Sequence, residues 1–256
     1  MTVSGAVVNT TGAETGVTVN SIPATVSGSR FIANHVPLTD GQNTITITAT
    51  DVNNLTTTAT RTVTATAGDY LRILPNVESG TAPLDISISL DASFSITTPT
   101  VTITGPVSVQ PVAGTTTTEF TATLPVEGTY TITASAVGPD SQTYSDMATI
   151  TVLSRNQLDM ILKAKWNGMR TALAAGDVTG AVVNFSAMSK DIYQQQFADL
   201  SASLPDFAAA IGNITMVKAD DAMAEYDLRV VIDGVDYSFY LLFVKEGDGI
   251  WRIRNF

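Results

Sequence analysis

Apolar and polar residues alternate in short runs along the first three-fifths of the chain, and after Ser154 the apolar positions fall at helical spacing instead. Residues 3–8, 17–20, 31–36, 44–50 and 56–66 carry β-branched side chains, often at every second position, which predicts strands with one face turned inward. Gly12, Gly16, Gly28 and Asp40-Gly41 punctuate these runs. Strands this short and this regularly spaced predict a β-sandwich rather than βαβ units, and a second sandwich is expected over 68–153.

Past that point the period changes. Ser154 and Gln157 form an S-x-x-Q capping box, and Leu158, Ile161, Leu162, Trp166, Met169 and Leu173 make one helical stripe that stops at Gly176. Asp177 is placed to cap a short second helix running to Phe185. Ser189 precedes a third with Ile192, Tyr193, Phe197 and Leu200 inward, broken near Pro205 and resumed to Ile211. Strands follow at 214–219, at 224–232, where Ala224, Tyr226, Leu228, Val230 and Ile232 alternate with Glu225, Asp227, Arg229 and Asp233, and at 235–246. Asp233-Gly234 and Gly247-Asp248-Gly249 are the hairpin turns. In the last strand Trp251 and Ile253 are expected on one side, with Ile250, Arg252, Arg254 and Phe256 on the other. The predicted fold is therefore multidomain: two all-β sandwiches, residues 1–67 and 68–153, followed by a cone-like α+β domain, residues 154–256, in which three helices pack on a curved antiparallel sheet.

Composition sharpens this division. The 256 residues are 44% hydrophobic but only 14% charged, with a formal net charge of −11. Residues 1–153 hold three arginines and no lysine against eleven acids, whereas residues 154–256 hold ten bases against thirteen acids. A neutral, hydroxyl-rich surface with an acidic bias repels nucleic acid and anionic lipid. The absence of cysteine removes disulfides, thiol nucleophiles and Cys-ligated zinc. No apolar run approaches the roughly 20 residues of a membrane-crossing helix, and no membrane insertion is expected. The Thr/Ser/Asn-rich, lysine-free character points to export and an extracellular or cell-surface, bacterial location, with any signal peptide outside this sequence.

The run "VTVNSIPATVSGSRFIANHVPLTDGQNTITITATDVNNLTTTATRTVT" resembles the bacterial immunoglobulin-like domains, including the glucodextranase-appended type. "NVESGTAPLDISISLDAS", "EGTYTITASAV" and "ATITV" resemble the opening and closing strands of polycystic-kidney-disease-type (PKD) immunoglobulin-like sandwiches. The usual aromatic and Asp-Gly motif of that family is missing from the middle. Tyr130 stands where a tyrosine-corner hydroxyl would bond to upstream backbone. "KWNGMRTALAAGDVTGAVVNFS" with the closing "DGIWRIRNF" resembles the nuclear transport factor 2-like (NTF2-like) superfamily, cystatin-like in fold. The first resemblance implies a spacer or accessory module. The third implies a cone that can hold a ligand, and a homodimer through the C-terminal sheet as one arrangement.

The candidate chemistry lies in that cone. An acid/base enzyme there would need a carboxylate or histidine with an oxyanion donor, but the single histidine, His35, falls in the first sandwich, and Glu225, Asp227 and Arg229 fall on the face opposite Tyr226. No catalytic residue is assigned. Trp166, Tyr193, Phe197, Tyr226, Tyr237, Phe239 and Trp251 are the candidate pocket residues for a small molecule or a protein partner, since aromatic walls suit an apolar ligand, although plain core is the commoner fate of such rings. Asp51, Asn53 and Asn54, with Asp40, carry hard oxygen donors, but Asp-x-Asn-Asn is also an ordinary hairpin turn, so no metal and no cofactor is assigned. Phosphate-loop, H-E-x-x-H and G-x-S-x-G motifs are absent. The reading is a non-enzymatic modular protein whose sandwiches form a stalk for the last domain. The alternatives are an accessory region of a carbohydrate-active or other extracellular enzyme, which the aromatic-poor stalk disfavours, or a small-molecule enzyme with its site in the cone.

Overall fold

A computed structural model describes residues 1–10 and 14–256. Gly12, read as a turn, lies outside the described residues. Strand accounts for 49% of the chain and helix for 18%, as in a multidomain β-sandwich protein. The chain divides into two compact units, Met1–Ser154 with Gly247–Gly249, and Arg155–Glu246 with Ile250–Phe256.

In the first unit, the described residues of 3–65 supply β1 Val3–Ala6, β2 Thr15–Val19, β3 Ile22–Pro23, β4 Thr25–Ser27, β5 Arg30–Ala33, β6 Gly41–Asp51 and β7 Thr56–Ala65. They form two sheets, ordered β1-β5-β4 and β3-β2-β6-β7, closing on a small core of Val17, Val19, Ala24, Phe31, Ala33, Val36 and Ile45. Two expectations are corrected here. Gly16 lies inside β2 rather than in a turn, and β3 and β4 break the expected strand pattern, their two and three residues being too few to show a period. The Asp51 carboxylate accepts from the Asn53 and Leu55 amides at 2.8 and 2.9 Å, and Asn54 takes a left-handed φ of 62°, so this loop is built as a hairpin turn.

Residues 71–153 supply β8 Leu71–Pro75, β9 Ser79–Thr81, β10 Leu84–Ala92, β11 Thr100–Thr104, β12 Val112–Ala113, β13 Glu119–Leu124, β14 Gly128–Val137 and β15 Thr143–Leu153. The sheets β12-β13-β10-β8 and β11-β14-β15-β9 enclose Ile73, Ile86, Ile88, Leu124, Ile132 and Ile150. The fully buried Tyr130 donates its hydroxyl to the Val126 carbonyl at 3.2 Å, four residues upstream, the geometry of a tyrosine corner. Between the cores, buried Asn34 bonds both ways with the main chain of one residue: its amide donates to the Thr149 carbonyl at 2.7 Å, and its carbonyl accepts from the Thr149 amide at 3.0 Å. His35 follows at a φ of 51°, its Nδ1 3.5 Å from the Glu78 carboxylate.

The second unit is helices first and sheet second. Helix α1 spans Arg155–Ala174, α2 Val178–Ala181, α3 Lys190–Leu200 and α4 Leu204–Ala210, with a single 3-10 turn at Ser201–Ser203. Helix α1 ends in a Schellman motif: Gly176 adopts φ 71°, and the Gly176 and Asp177 amides bond to the Leu173 and Ala172 carbonyls. Asp177 then caps α2 through the Gly180 amide at 2.8 Å, but α2 ends four residues short of Phe185. Ser189 does not cap α3 with its side chain; the hydroxyl reaches the Ser186 and Ile253 carbonyls instead. Ile161 and Ile192, expected inward, are exposed, because each lies one residue, about 100° of rotation, off its helix's buried stripe.

The sheet is β16 Ile214–Ala219, β17 Met223–Ile232, β18 Val235–Lys245 and β19 Trp251–Asn255, antiparallel throughout and in chain order. Asp233 and Gly234, at φ 52° and 78°, make the two-residue turn between β17 and β18. No helix among the described residues is long and apolar enough to cross a membrane.

Candidate functional site

The register of β17 on β18 sets two opposite faces. Tyr226 lies across from Leu241, Leu228 from Phe239, Val230 from Tyr237 and Ile232 from Val235, so these eight side chains share the face turned to the helices. Glu225, Asp227, Arg229, Ser238 and Tyr240 share the other. There Glu225 pairs with Lys218 at 3.0 Å, and that bond raises the lysine's proton affinity. Asp227 accepts from the Ser238 hydroxyl and from Arg229 Nε, which hold its carboxyl below the ordinary aspartate value. These charges pair with one another on an outer surface.

On the helical side the sheet and helices do not close. A cavity of about 650 Å³ opens between them, walled by Tyr193, Phe197 and Leu200 of α3, Phe207, Ala210 and Ile211 of the α4 region, Leu228, Val230 and Ile232 of β17, Phe239 of β18, and Phe256. Gln196 and Asp199 are the other lining residues, both at the exposed surface of α3. Gln195 donates to Asp199 at 2.8 Å. The Tyr193 hydroxyl donates to the Phe256 carbonyl and accepts from the Phe256 amide, both at 2.9 Å, and the two rings stack 5.2 Å apart. With that phenol committed to main chain, the wall presents almost entirely carbon, which suits burial of apolar atoms.

Of the seven candidate pocket residues, Tyr193, Phe197 and Phe239 line the cavity. The other four do not. Trp166 is 1% exposed and donates Nε1 to the Gly212 carbonyl at 3.0 Å, a core residue whose ring stands nearly perpendicular to that of Phe256. Tyr226 is equally buried; its hydroxyl donates to Asp159 at 3.0 Å, and burial together with that bond pushes its ionisation far up. Trp251 is buried beneath the Lys245 ammonium. Tyr237 shares the cavity face but lies beyond it towards the hairpin tip, 45% exposed.

Simple alternation puts Phe256 on the side opposite Ile253, and a bulge overturns it. Phe243 pairs with Ile253 but Leu242 with Asn255, so one extra residue at Arg254 resets the phase and brings both Ile253 and Phe256 to the helical face. Leu200, expected inward, is 40% exposed and lines the void. Phe207 carried a usable signal: it follows Pro205, which sits in the first turn of α4, and meets Phe197 at 6.3 Å between ring centroids.

A scan against protein-family models found no match, and a search of the curated proteins found none either. Among solved structures, the chain is similar to the protocadherin gamma B7 extracellular cadherin domains 1–4, at 15% identity and a TM-score of 0.23 over 54% of this chain and 40% of that one. It is also similar to the Bacteroides ovatus mixed-linkage glucan utilization locus protein SGBP-B in complex with a mixed-linkage heptasaccharide, at 18% identity and a TM-score of 0.20 over 59% of this chain and 42% of that one. The chain thus spans less than half the length of either neighbour.

Proposed function

We propose that this is a secreted or cell-surface, non-enzymatic modular protein in which sandwiches at 1–67 and 68–153 form a stalk and an NTF2-like α+β domain at 154–256 binds an apolar ligand. The observation that carries the reading is the aromatic-walled cavity of about 650 Å³. Its volume falls within the range of small-ligand pockets. Its lining offers no paired acid and base of the sort proton-transfer chemistry needs, and its one carboxylate, Asp199, is exposed. The sparsely charged stalk and the mixed-charge terminal domain fit a division between spacing and binding.

The test is titration of the full chain with the neutral fluorescent probe N-phenyl-1-naphthylamine. Saturable, one-to-one binding is expected, weakened at least tenfold by Ile232→Glu, which puts a charge in the mouth while leaving the melting temperature nearly unchanged. Absence of saturable binding, or binding indifferent to Ile232→Glu, would reject the proposal.

A further inference from the structure

The cavity adjoins a strand edge that the sheet leaves open. Strand β19 pairs with β18 only from Leu242 to Lys245, so among the described residues the edge from Val235 to Leu241 has no strand beside it. The two-residue turn makes Ile232 and Val235 a pair that exchanges both main-chain bonds, and the pattern alternates from there. Val235, Tyr237 and Phe239 therefore direct their N–H and C=O groups to β17, while Asp236, Ser238 and Tyr240 direct theirs outward. The Lys245 amide, which bonds inward to the Ala222 carbonyl, keeps the same phase. The edge carries no proline, no lysine and no bulge, the usual devices that discourage pairing. The Asp227 bonds to Ser238 and Arg229 brace the protruding hairpin from its outer face.

Charge narrows the occupant. Asp233 and Asp236 flank the hairpin tip and Asp199 stands on the helical side of the cavity, and no Lys, Arg or His occurs in 191–217 or 230–244. We propose, building on the ligand-binding reading above, that cavity and edge form one peptide-docking site. An extended segment of a partner protein, apolar at alternate positions and flanked by lysine or arginine, adds antiparallel to Val235–Tyr240 as β19 does further along the same edge. Its apolar side chains drop towards Phe239 and the void, its polar residues bond the main chain of Asp236, Ser238 and Tyr240, and its basic ends meet the aspartates.

The experiment uses the full chain and a fluorescein-labelled ten-residue peptide in which Val and Leu alternate with Thr, with a lysine at each end. Two backbone-methylated versions accompany it. In antiparallel addition the apolar residues turn their N–H groups away from β18 and the threonines turn theirs towards it. Methylating the threonine amides is expected to weaken binding at least tenfold, and methylating the apolar amides by less than threefold. Phe239→Ala should weaken the parent peptide about tenfold, and Asp233→Asn with Asp236→Asn about threefold with a flatter salt dependence. Equal effects of the two methylation patterns would overturn strand addition. So would probe binding without peptide binding, which would leave the ligand-binding reading standing, whereas failure of both probe and peptide would remove that reading as well. Concentration-dependent dimerisation of the chain alone, abolished by Ser238→Pro, would assign the edge to a second copy and overturn the partner peptide.

Discussion

Strands β14 and β15 of the second sandwich and β17 and β18 of the C-terminal unit are hairpins of the same size, ten and eleven residues in each case, yet their side chains meet opposite fates. Along β14 every second residue from Tyr130 to Ala136 is buried, whereas the first six residues of β18 are all exposed and burial begins only at Leu241. The difference lies in what faces each hairpin. A sheet facing a sheet matches it in length, because both rise about 3.3 Å per residue. Helices rise about 1.5 Å per residue, so α3 and α4, of eleven and seven residues, reach about 16 and 10 Å against roughly 36 Å of strand. The hairpin overruns its cover, and the cavity is where the cover stops.

Two isoleucines put that contrast to its most sensitive test. Ile132 in β14 is fully buried, and Ile232 at the end of β17 is 46% exposed on the cavity rim. Ile132→Ala is expected to cost about 2–5 kcal/mol, the transfer of the lost carbons plus the void they leave, and Ile232→Ala under about 1 kcal/mol. Urea denaturation of the full chain measures both. Equal losses would mean that the rim is packed as tightly as the sandwich, and the open cavity would be lost as an explanation.

A pair of tyrosines tests the same comparison more finely. Tyr130 and Tyr226 are both buried, but one hydroxyl meets a neutral carbonyl of its own corner and the other a carboxylate on a neighbouring helix. Bonds to charged acceptors are the stronger, so Tyr226→Phe should cost about 1.5–3 kcal/mol and Tyr130→Phe about 1 kcal/mol in the same assay. Asp159 keeps Lys163 at 2.7 Å after the change, which holds the larger figure to the lower part of its range. The reverse order would show that the corner, not the helix-to-sheet bond, is the more demanding junction.

How far the sequence discloses these regions follows the same physics. Alternation in "TYTITASAV" reads directly as β14 because a single phase persists through the strand, and the helical stripe of α1 is legible because Leu158, Leu162, Trp166, Met169 and Leu173 all serve one core. The cavity was legible only in part. Tyr193, Phe197 and Phe239 could be named from aromatic spacing, but Trp166, Tyr226 and Trp251 carry the same signal and fill core, since a periodic pattern reports which face is covered and not how far the cover extends. Phe256 needed the bulge at Arg254, which leaves no mark in composition. The main-chain edge of β18 is set by pairing partners distant in sequence, and no local pattern encodes it.

The smallest expected effect concerns what steadies the overrun. The sandwich hairpin is held by the sheet it faces; the protruding one has Asp227, whose carboxyl is depressed first by the Ser238 hydroxyl and then by Arg229. Because the folded value lies below the ordinary 3.8, the proton binds the unfolded chain more readily, so the contribution is complete above that value and fades as pH falls through the depressed one. A carboxyl NMR titration of the intact chain should place the Asp227 midpoint below 3.8. Ser238→Ala should raise it further than Arg229→Gln does, since the hydroxyl is the larger cause and the guanidinium acts from an exposed position open to screening. A midpoint at or above the ordinary value, or one that neither substitution moves, would mean that the hairpin is not braced from its outer face, and strand addition would then have to order the edge it binds.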